Sequence, residues 1–354
     1  MIEPSLERRR DEADPAREPT GKGGLGAWLR LALRLVGPAL LVAVLLRMKD
    51  AGAVVRAWTE ADPWPLAIAV VLTFANLWLK ILRWGVLLRT QGIRYPQRRA
   101  WGAYLGSAYV ALITPGRVGD ALRAQYLRHD QGVAYADGLA SVVMDRLCDL
   151  YVLVVIAALG VVRFSSILVG QLAWAAWGTV AATILGPLLL LVPGVAERLL
   201  GKAYAKLASA RFGKGAAPAP EAGGDGLGRF LAALRSHVGP SLGLTIPLTI
   251  GAFLINYAQA WLLARAVHLD LTFFDLMCLL SIASLLGLLP ISMSGVGVRE
   301  VFFALAFPVL GYSAEQGVSF GLLVFAVLYL VIVIVGFVSW QIWPPPFAAA
   351  RPSR

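Results

Sequence analysis

Long apolar stretches separated by short charged clusters set the rhythm of this chain. Six run far enough to cross a membrane without interruption, at roughly 27–46, 64–88, 138–162, 171–192, 241–264 and 317–341. A helix needs about 20 mostly apolar residues to traverse a hydrocarbon core of about 30 Å. Two further stretches, about 101–128 and 272–312, are apolar but broken at mid-length by Pro and Gly. The first breaks at Thr114-Pro115-Gly116-Arg117-Val118-Gly119-Asp120 and the second between Pro290 and Glu300, at Ser294-Gly295-Val296-Gly297-Val298-Arg299-Glu300. Irregular backbone at membrane depth persists only where it is buried in protein or lines a cavity. Each broken stretch is therefore expected as a helical hairpin that enters and leaves by one side. The pattern predicts an all-α polytopic membrane protein with about six full spans and two broken re-entrant hairpins.

The order span, hairpin, span occurs at 64–162 and again at 241–341. Basic residues suggest how the two sets lie. Arg89, Arg94, Arg98 and Arg99 fall in one loop, and Arg198, Lys202, Lys206, Arg211, Lys214, Arg229 and Arg235 in the linker 194–240. Placing both inside obeys the positive-inside rule and leaves fewer cations on the other face, around Arg47, Lys49, Arg56, Arg163 and Arg265. The amino terminus is then cytoplasmic and the second set is inverted relative to the first. Inverted repeats of this kind place binding sites where broken helices approach the midplane.

Composition fits the same picture. A hydrophobic fraction of 58% with a net charge of +11 excludes an ordinary soluble domain. The basic residues flank apolar runs, so anionic lipid head groups are the expected counter-charge and nucleic acid is not. Residues 1–26 are polar and rich in Pro and Gly, the composition of a disordered cytoplasmic tail. The membrane domain is expected over 27–343, with 344–354 a short tail. The first apolar run reads as an uncleaved anchor rather than a signal peptide. Cys148 and Cys278 sit inside apolar segments, and three scattered histidines make no ligand set, so no cofactor or metal is expected. Tryptophans 28, 58, 64, 84, 101, 340 and 343 flank spans and are expected in an interfacial belt. Homo-oligomerisation is left open.

One segment places charge where lipid should be. Between Asp149 and Arg163 lie only 13 uncharged residues. That is roughly 20 Å of helix, too little to span, so Asp145, Arg146 and Asp149 must enter the bilayer. Each costs about 2.5–3.5 kcal/mol at mid-membrane, so they must face partners, water or a polar ligand. Asp145 and Asp149 share a helix face, and Arg146 reaches Asp149 at i, i+3. Arg117, Arg123 and Arg299 lie beside glycine-rich helix starts, where free N–H groups favour an anion and guanidinium matches phosphate. The same arginines could instead pair with Asp120, Glu300, Asp145 and Asp149 and fix hairpins to spans. Lys80 and Arg83, near a span end, are expected to snorkel to the interface or otherwise to line the cavity entrance. Asn76 and Asn256 are expected to bond across helices.

Three motifs together carry a resemblance: Thr114-Pro-Gly-Arg-Val-Gly-Asp-Ala-Leu-Arg123, Asp145-Arg-Leu-Cys-Asp149 and Ser294-Gly-Val-Gly-Val-Arg-Glu300. In order and spacing the chain resembles the lysylphosphatidylglycerol synthase transmembrane region family of flippase-like proteins. Asp120 and Asp145 stand where that family usually has Glu. The resemblance covers roughly 30–342 and implies a flippase-like module in a bacterial cytoplasmic membrane, without the soluble aminoacyl-transferase domain of full-length synthases. It implies a substrate site built from Gly116, Arg117, Gly119, Asp120, Arg123, Asp145, Arg146, Asp149, Gly295, Gly297, Arg299 and Glu300. No nucleotide-binding loop is evident, so movement down a gradient or ion coupling is expected. The alternative is an integral membrane enzyme that transfers or hydrolyses a lipid-linked group, with Asp145 or Asp149 as base.

Overall fold

The computed structural model describes residues 52–165, 171–196, 220–239, 241–287 and 295–344, with residues 42, 46 and 198. The expected first span at 27–46 apart from residues 42 and 46, the amino-terminal tail, residues 345–354 and the break at Pro290–Ser294 lie outside the described residues. Among the described residues the fold is entirely helical. A short helix, α1 (Gly52–Thr59), precedes α2 (Pro63–Thr90). The first hairpin follows as α3 (Gln97–Ile113), a 3-10 turn over Pro115–Ala121, and α4 (Leu122–Gln131). Next come α5 (Tyr135–Arg163), α6 (Gln171–Leu191) and the linker helix α7 (Pro220–Ser236). The second set is α8 (Leu242–Ala266), α9 (Phe273–Leu286) and α10 (Val298–Ala306). It closes with α11 (Ala314–Phe325), a π-helical turn over Ala326–Leu330, and α12 (Val331–Ile342).

Local chemistry explains the boundaries. Pro63 at the first turn of α2 lacks only an N–H that would be unpaired there anyway. Thr272 Oγ1 accepts the Asp275 N–H at the start of α9, and Ser313 with Gln316 forms a capping box on α11. Gly132, at φ 67°, closes α4 in the left-handed conformation that glycine adopts without strain. Three elements, Pro63–Thr90, Leu242–Ala266 and Ala314–Ile342, are long and apolar enough to cross a membrane. At 29 residues α5 matches them in length but carries Asp145, Arg146 and Asp149 in its middle. The protein is a polytopic helical membrane protein; of the six expected spans, those at 64–88, 241–264 and 317–341 appear among the described residues as helices of spanning length and hydropathy, with shifted ends.

The two sets are related by contact as well as order. Helices α2 and α8 pack together along their length. Gln259 bonds to Ala69 O, Asn76 to Ala252 O and Arg83 to Thr249, so one chain rises as the other falls. The sets therefore open in opposite directions. Each hairpin then lends its first arm to the other set: α3 lies against α12, and α9 lies against α5. Glycines permit both approaches. A Cβ on Gly336 would stand 2.7 Å from Leu105 O, and one on Gly160 would stand 2.9 Å from Ile282 Cδ1. Gly138 and Gly317, each in the first turn of its span, meet the helix that closes their hairpin, at Ala124 and Phe303.

Both hairpins are tight where the described residues permit a reading. Gly119 packs against the backbone of Val110 and Ala111 with no room for a side chain, and its N–H donates to Thr114 Oγ1 at 3.3 Å. In the second, Gly295 approaches Gly287 so closely that a Cβ would meet the Gly287 Cα at 2.9 Å. The linker helix α7 lies on α5. It ends at His237, whose ring nitrogens meet Thr90 Oγ1 at 2.7 Å and Gln91 Nε2 at 3.0 Å. Asn76 bonds across helices as expected. Trp84, expected at the interface, is instead fully buried, with its indole N–H on Ser141 Oγ at 3.2 Å. Its position one residue after Arg83 puts it on the core face of α2, not at the end of the span.

Candidate functional site

The charges of α5 find partners on three other elements. Arg83 of α2 is the hub. Its Nε donates to Asp145 Oδ1 at 2.8 Å, its Nη1 to Asp149 Oδ1 at 2.6 Å and to Thr249 Oγ1 at 3.0 Å, and its Nη2 to Asp145 O at 3.2 Å. Arg123 of α4 takes the other oxygen of Asp145, Nη1 to Oδ2 at 2.9 Å. Arg146 reaches out of α5 to Asp120 Oδ1 in the 3-10 turn at 2.7 Å and to Asp149 Oδ2 at 3.4 Å. Arg117 and Lys80 complete the rim, 3.7 Å from Asp120 Oδ2 and 4.0 Å from Asp149 Oδ2. Arg83, Arg123 and Asp145 are sealed from solvent, whereas Arg146, Arg117 and Lys80 remain partly exposed. The network therefore has a closed floor and an open rim.

The expectation that Arg83 snorkels is overturned. It lies two turns inside the end of α2, and the fork of its guanidinium pairs with both carboxylates of α5 at once, which water at the interface could not do better. Lys80, one turn earlier on the same face, points to Asp149 and lies 5.9 Å over the Phe253 ring. The carboxylate pair of Asp145 and Asp149 is accordingly an ion-paired arrangement bridged by Arg83. Sequence alone missed Arg83, Thr249 and the aromatic floor. Lys80 and Arg83 at i, i+3 in an otherwise apolar run were the available signal.

Arg123 lies 4.6 Å from the centre of the Tyr104 ring and 5.4 Å from that of Trp84, so its buried charge meets π-faces as well as Asp145. Several groups are left over. Arg117 Nε, Arg123 Nε and Nη2, Arg146 Nε and Asp120 Oδ2 are buried without a hydrogen-bond partner. Buried donors are nearly always satisfied in folded proteins. Arg117 also sits at φ 56°, a left-handed conformation that costs a non-glycine residue about 1–2 kcal/mol. Unused donors and backbone strain thus coincide at the break of the first hairpin.

The second hairpin presents a different arrangement. Arg299 pairs with its neighbour Glu300, Nη2 to Oε1 at 3.0 Å, and its guanidinium lies 4.7 Å from the Tyr329 ring centre and 5.5 Å from that of Phe325. Glu300 Oε2 also accepts the Gly297 N–H at 2.6 Å and so caps α10. Of the residues expected at one site, the structure joins Arg117, Asp120, Arg123, Asp145, Arg146 and Asp149 in one ion-pair network. Gly116 and Gly119 form the turn that carries it. Arg299, Glu300, Gly295 and Gly297 form a second cluster on the other hairpin.

A helical membrane protein with exchanged hairpin arms and a charged network at the first break defines the class. Residues 28–336 match the family model described as the lysylphosphatidylglycerol synthase transmembrane region, and the chain belongs to that family. Among curated proteins it is similar to one named glycosyltransferase AglD, from Haloferax volcanii. The two are 27% identical over 341 residues, covering 82% of this chain and 53% of that protein. The chain thus spans about half the length of the curated relative it matches.

Proposed function

We propose that this protein is a flippase-like translocator that moves a phospholipid or lipid-linked phosphate across a bacterial cytoplasmic membrane. The observation that carries the reading is the cluster of partly exposed arginines at the hairpin break, inside an otherwise apolar bundle. Arg117 and Arg146, with Lys80 beside them, offer a lipid phosphate a place out of water, while the acyl chains stay among the apolar helix faces. Arg83, Arg123 and Asp145 brace that rim from below. Membership of the family supports a lipid-related role. The amino terminus is cytoplasmic in this reading, which puts the basic loops of 89–99 and 194–240 on the anionic inner face.

Reconstitution in liposomes tests it. Labelled phospholipids and polyprenyl phosphates should cross faster than in empty vesicles, and Arg117→Gln should slow them roughly tenfold, about one charge-assisted hydrogen bond. Equal rates in protein-containing and empty vesicles, across all lipids tried, would remove the proposal.

The alternative is a membrane enzyme acting on a lipid-linked group, and the glycosyltransferase name of the similar protein favours it. It needs a carboxylate free to accept a proton. Both Asp145 and Asp149 are instead held by Arg83. Turnover of a lipid-linked sugar by purified protein, lost in Asp149→Asn, would establish the enzyme reading instead.

A further inference from the structure

The charges of the first-hairpin network do not balance. Lys80, Arg83, Arg117, Arg123 and Arg146 face Asp120, Asp145 and Asp149, five cations against three carboxylates joined by contacts of 4.0 Å or less. Among the described residues two positive charges are in excess, and an unmatched charge among packed apolar helices costs several kcal/mol. The excess is concentrated around one carboxylate. Asp120 is approached by Arg146 at 2.7 Å, Arg117 at 3.7 Å and Arg123 at 3.9 Å. Asp120 hydrogen-bonds only Arg146 among the three, its Oδ2 has no hydrogen-bond partner, and the unpartnered donors belong to these same three arginines. Arg123 is fully buried and still has two nitrogens, Nε and Nη2, without a hydrogen-bond partner, with Nη2 3.9 Å from Asp120.

We propose that this cluster takes a lipid ending in a phosphate monoester, in its doubly charged form. The inference rests on the translocator reading and narrows its substrate. A monoester presents three terminal oxygens and up to two negative charges, which matches three guanidinium groups and the excess of two. A phosphodiester head group presents two free oxygens and one charge, and a zwitterionic head group adds a cation to a site already rich in them. The ligand reaches the site from the side of Arg117 and Arg146, whose side chains are 35% and 26% exposed, and displaces their weaker contacts with Asp120 and Asp149. Arg83 keeps Asp145 and Asp149 in place throughout.

Calorimetric titration of the purified full chain in detergent tests the class apart from transport. The probes are dioctanoyl phosphatidic acid, dioctanoyl phosphatidylglycerol, dioctanoyl phosphatidylcholine and inorganic phosphate. Phosphatidic acid should bind roughly tenfold more tightly than phosphatidylglycerol, the effect of one additional charge-assisted contact. Its advantage should grow from about pH 5 to about pH 7.5, as a phosphate monoester gains its second charge near pH 6. Arg117→Gln, at the exposed rim, should erase most of the preference in a folded protein, and Arg117→Lys should restore part of it. Equal affinity for monoester and diester overturns the inference, as does a preference unchanged in Arg117→Gln. Inorganic phosphate binding as tightly as phosphatidic acid would make this a free-phosphate site and overturn the lipid assignment. Selective binding without accelerated movement in liposomes would fail the translocator reading and leave the head-group class standing. Movement that is equally fast for monoester and diester lipids would do the reverse.

Discussion

The two hairpins share an architecture and differ in how their charges are settled. Each breaks at glycine, each lends its first arm to the opposite set, and each places arginine at the break. In the second, Arg299 and Glu300 cancel, aromatic rings cover the guanidinium, and Glu300 also satisfies the helix start at Gly297. Among the described residues the charge of Arg299 is matched by Glu300. In the first, three carboxylates are spread over five cations, and donors of Arg117, Arg123 and Arg146 remain unused. A duplicated frame can thus hold one break shut with a local pair and leave the other with capacity for an anion. The difference lies less in the number of arginines than in where their counter-charges sit. Glu300 is the next residue to Arg299, whereas Asp120 and Asp145 are on different elements and are shared.

The largest effect should come from the shared carboxylate. Asp145→Asn strips the close counter-charge from Arg123 and leaves Arg83 with Asp149 alone, and breaking a buried pair this way costs about 3–5 kcal/mol. Glu300→Gln keeps an oxygen for the Gly297 N–H and strands one arginine that aromatic rings also cover, so its cost should fall at the low end of the same range, about 3 kcal/mol. Thermal unfolding of both variants in one detergent measures the order. A larger loss for Glu300→Gln would mean the second hairpin, not the first, carries the critical charge.

The glycine contacts give a steric version of the same comparison. In Gly336→Ala the new methyl meets the Leu105 carbonyl at 2.7 Å and the Tyr109 Cβ at 2.8 Å, so helix backbone must move. In Gly160→Ala it meets the tip of Ile282 at 2.9 Å and Cys278 Cβ at 3.1 Å, and the Ile282 side chain can turn aside. Gly336→Ala should therefore cost about 1–3 kcal/mol and Gly160→Ala less than about 1 kcal/mol. Equal midpoints in thermal unfolding would mean that the two exchanged arms are held equally loosely.

Much of this was legible in the sequence, for reasons that differ by element. The long spans announce themselves through apolar length, and both breaks through glycine and proline. Asp145, Arg146 and Asp149 stood out because a span of α5's length could not avoid them. Arg83 did not, because a cation near the end of an apolar run usually reaches water, and only packing against α5 places it in the core. Trp84 was misread for the same reason, since proximity to a span end says nothing about which face a side chain occupies. The pairing of α3 with α12 and of α9 with α5 has no local signal at all. It depends on Gly336 and Gly160, which resemble any other glycine in an apolar helix until a neighbour is in place.

The last effect, the smallest near neutral pH, concerns the linker, which is fastened to the first half. His237, buried at the end of α7, faces Thr90 and Gln91 at the end of α2, and Gln91 in turn donates to Asp137 O in α5 at 3.2 Å. Gln91 Nε2 is a donor, so the ring nitrogen facing it must accept, and the imidazole is neutral. Burial pushes the His237 pKa down from 6.5 to about 4. The neutral form is therefore the folded form. Above about pH 6.5 neither state is protonated and stability is flat. As pH falls from there, the unfolded chain takes up the proton first, and stability is lost until about pH 4, where the folded ring also protonates. At pH 6 the loss is under about 1 kcal/mol. Hydrogen exchange in α7 should rise between pH 7 and pH 5 and become pH-independent, beyond the intrinsic chemistry, in His237→Gln. Exchange in α10 and α11, which do not carry this contact, should stay level. A parallel rise in both halves would mean that the linker fastens the whole bundle, and the asymmetry between the hairpins would then not extend to their attachments.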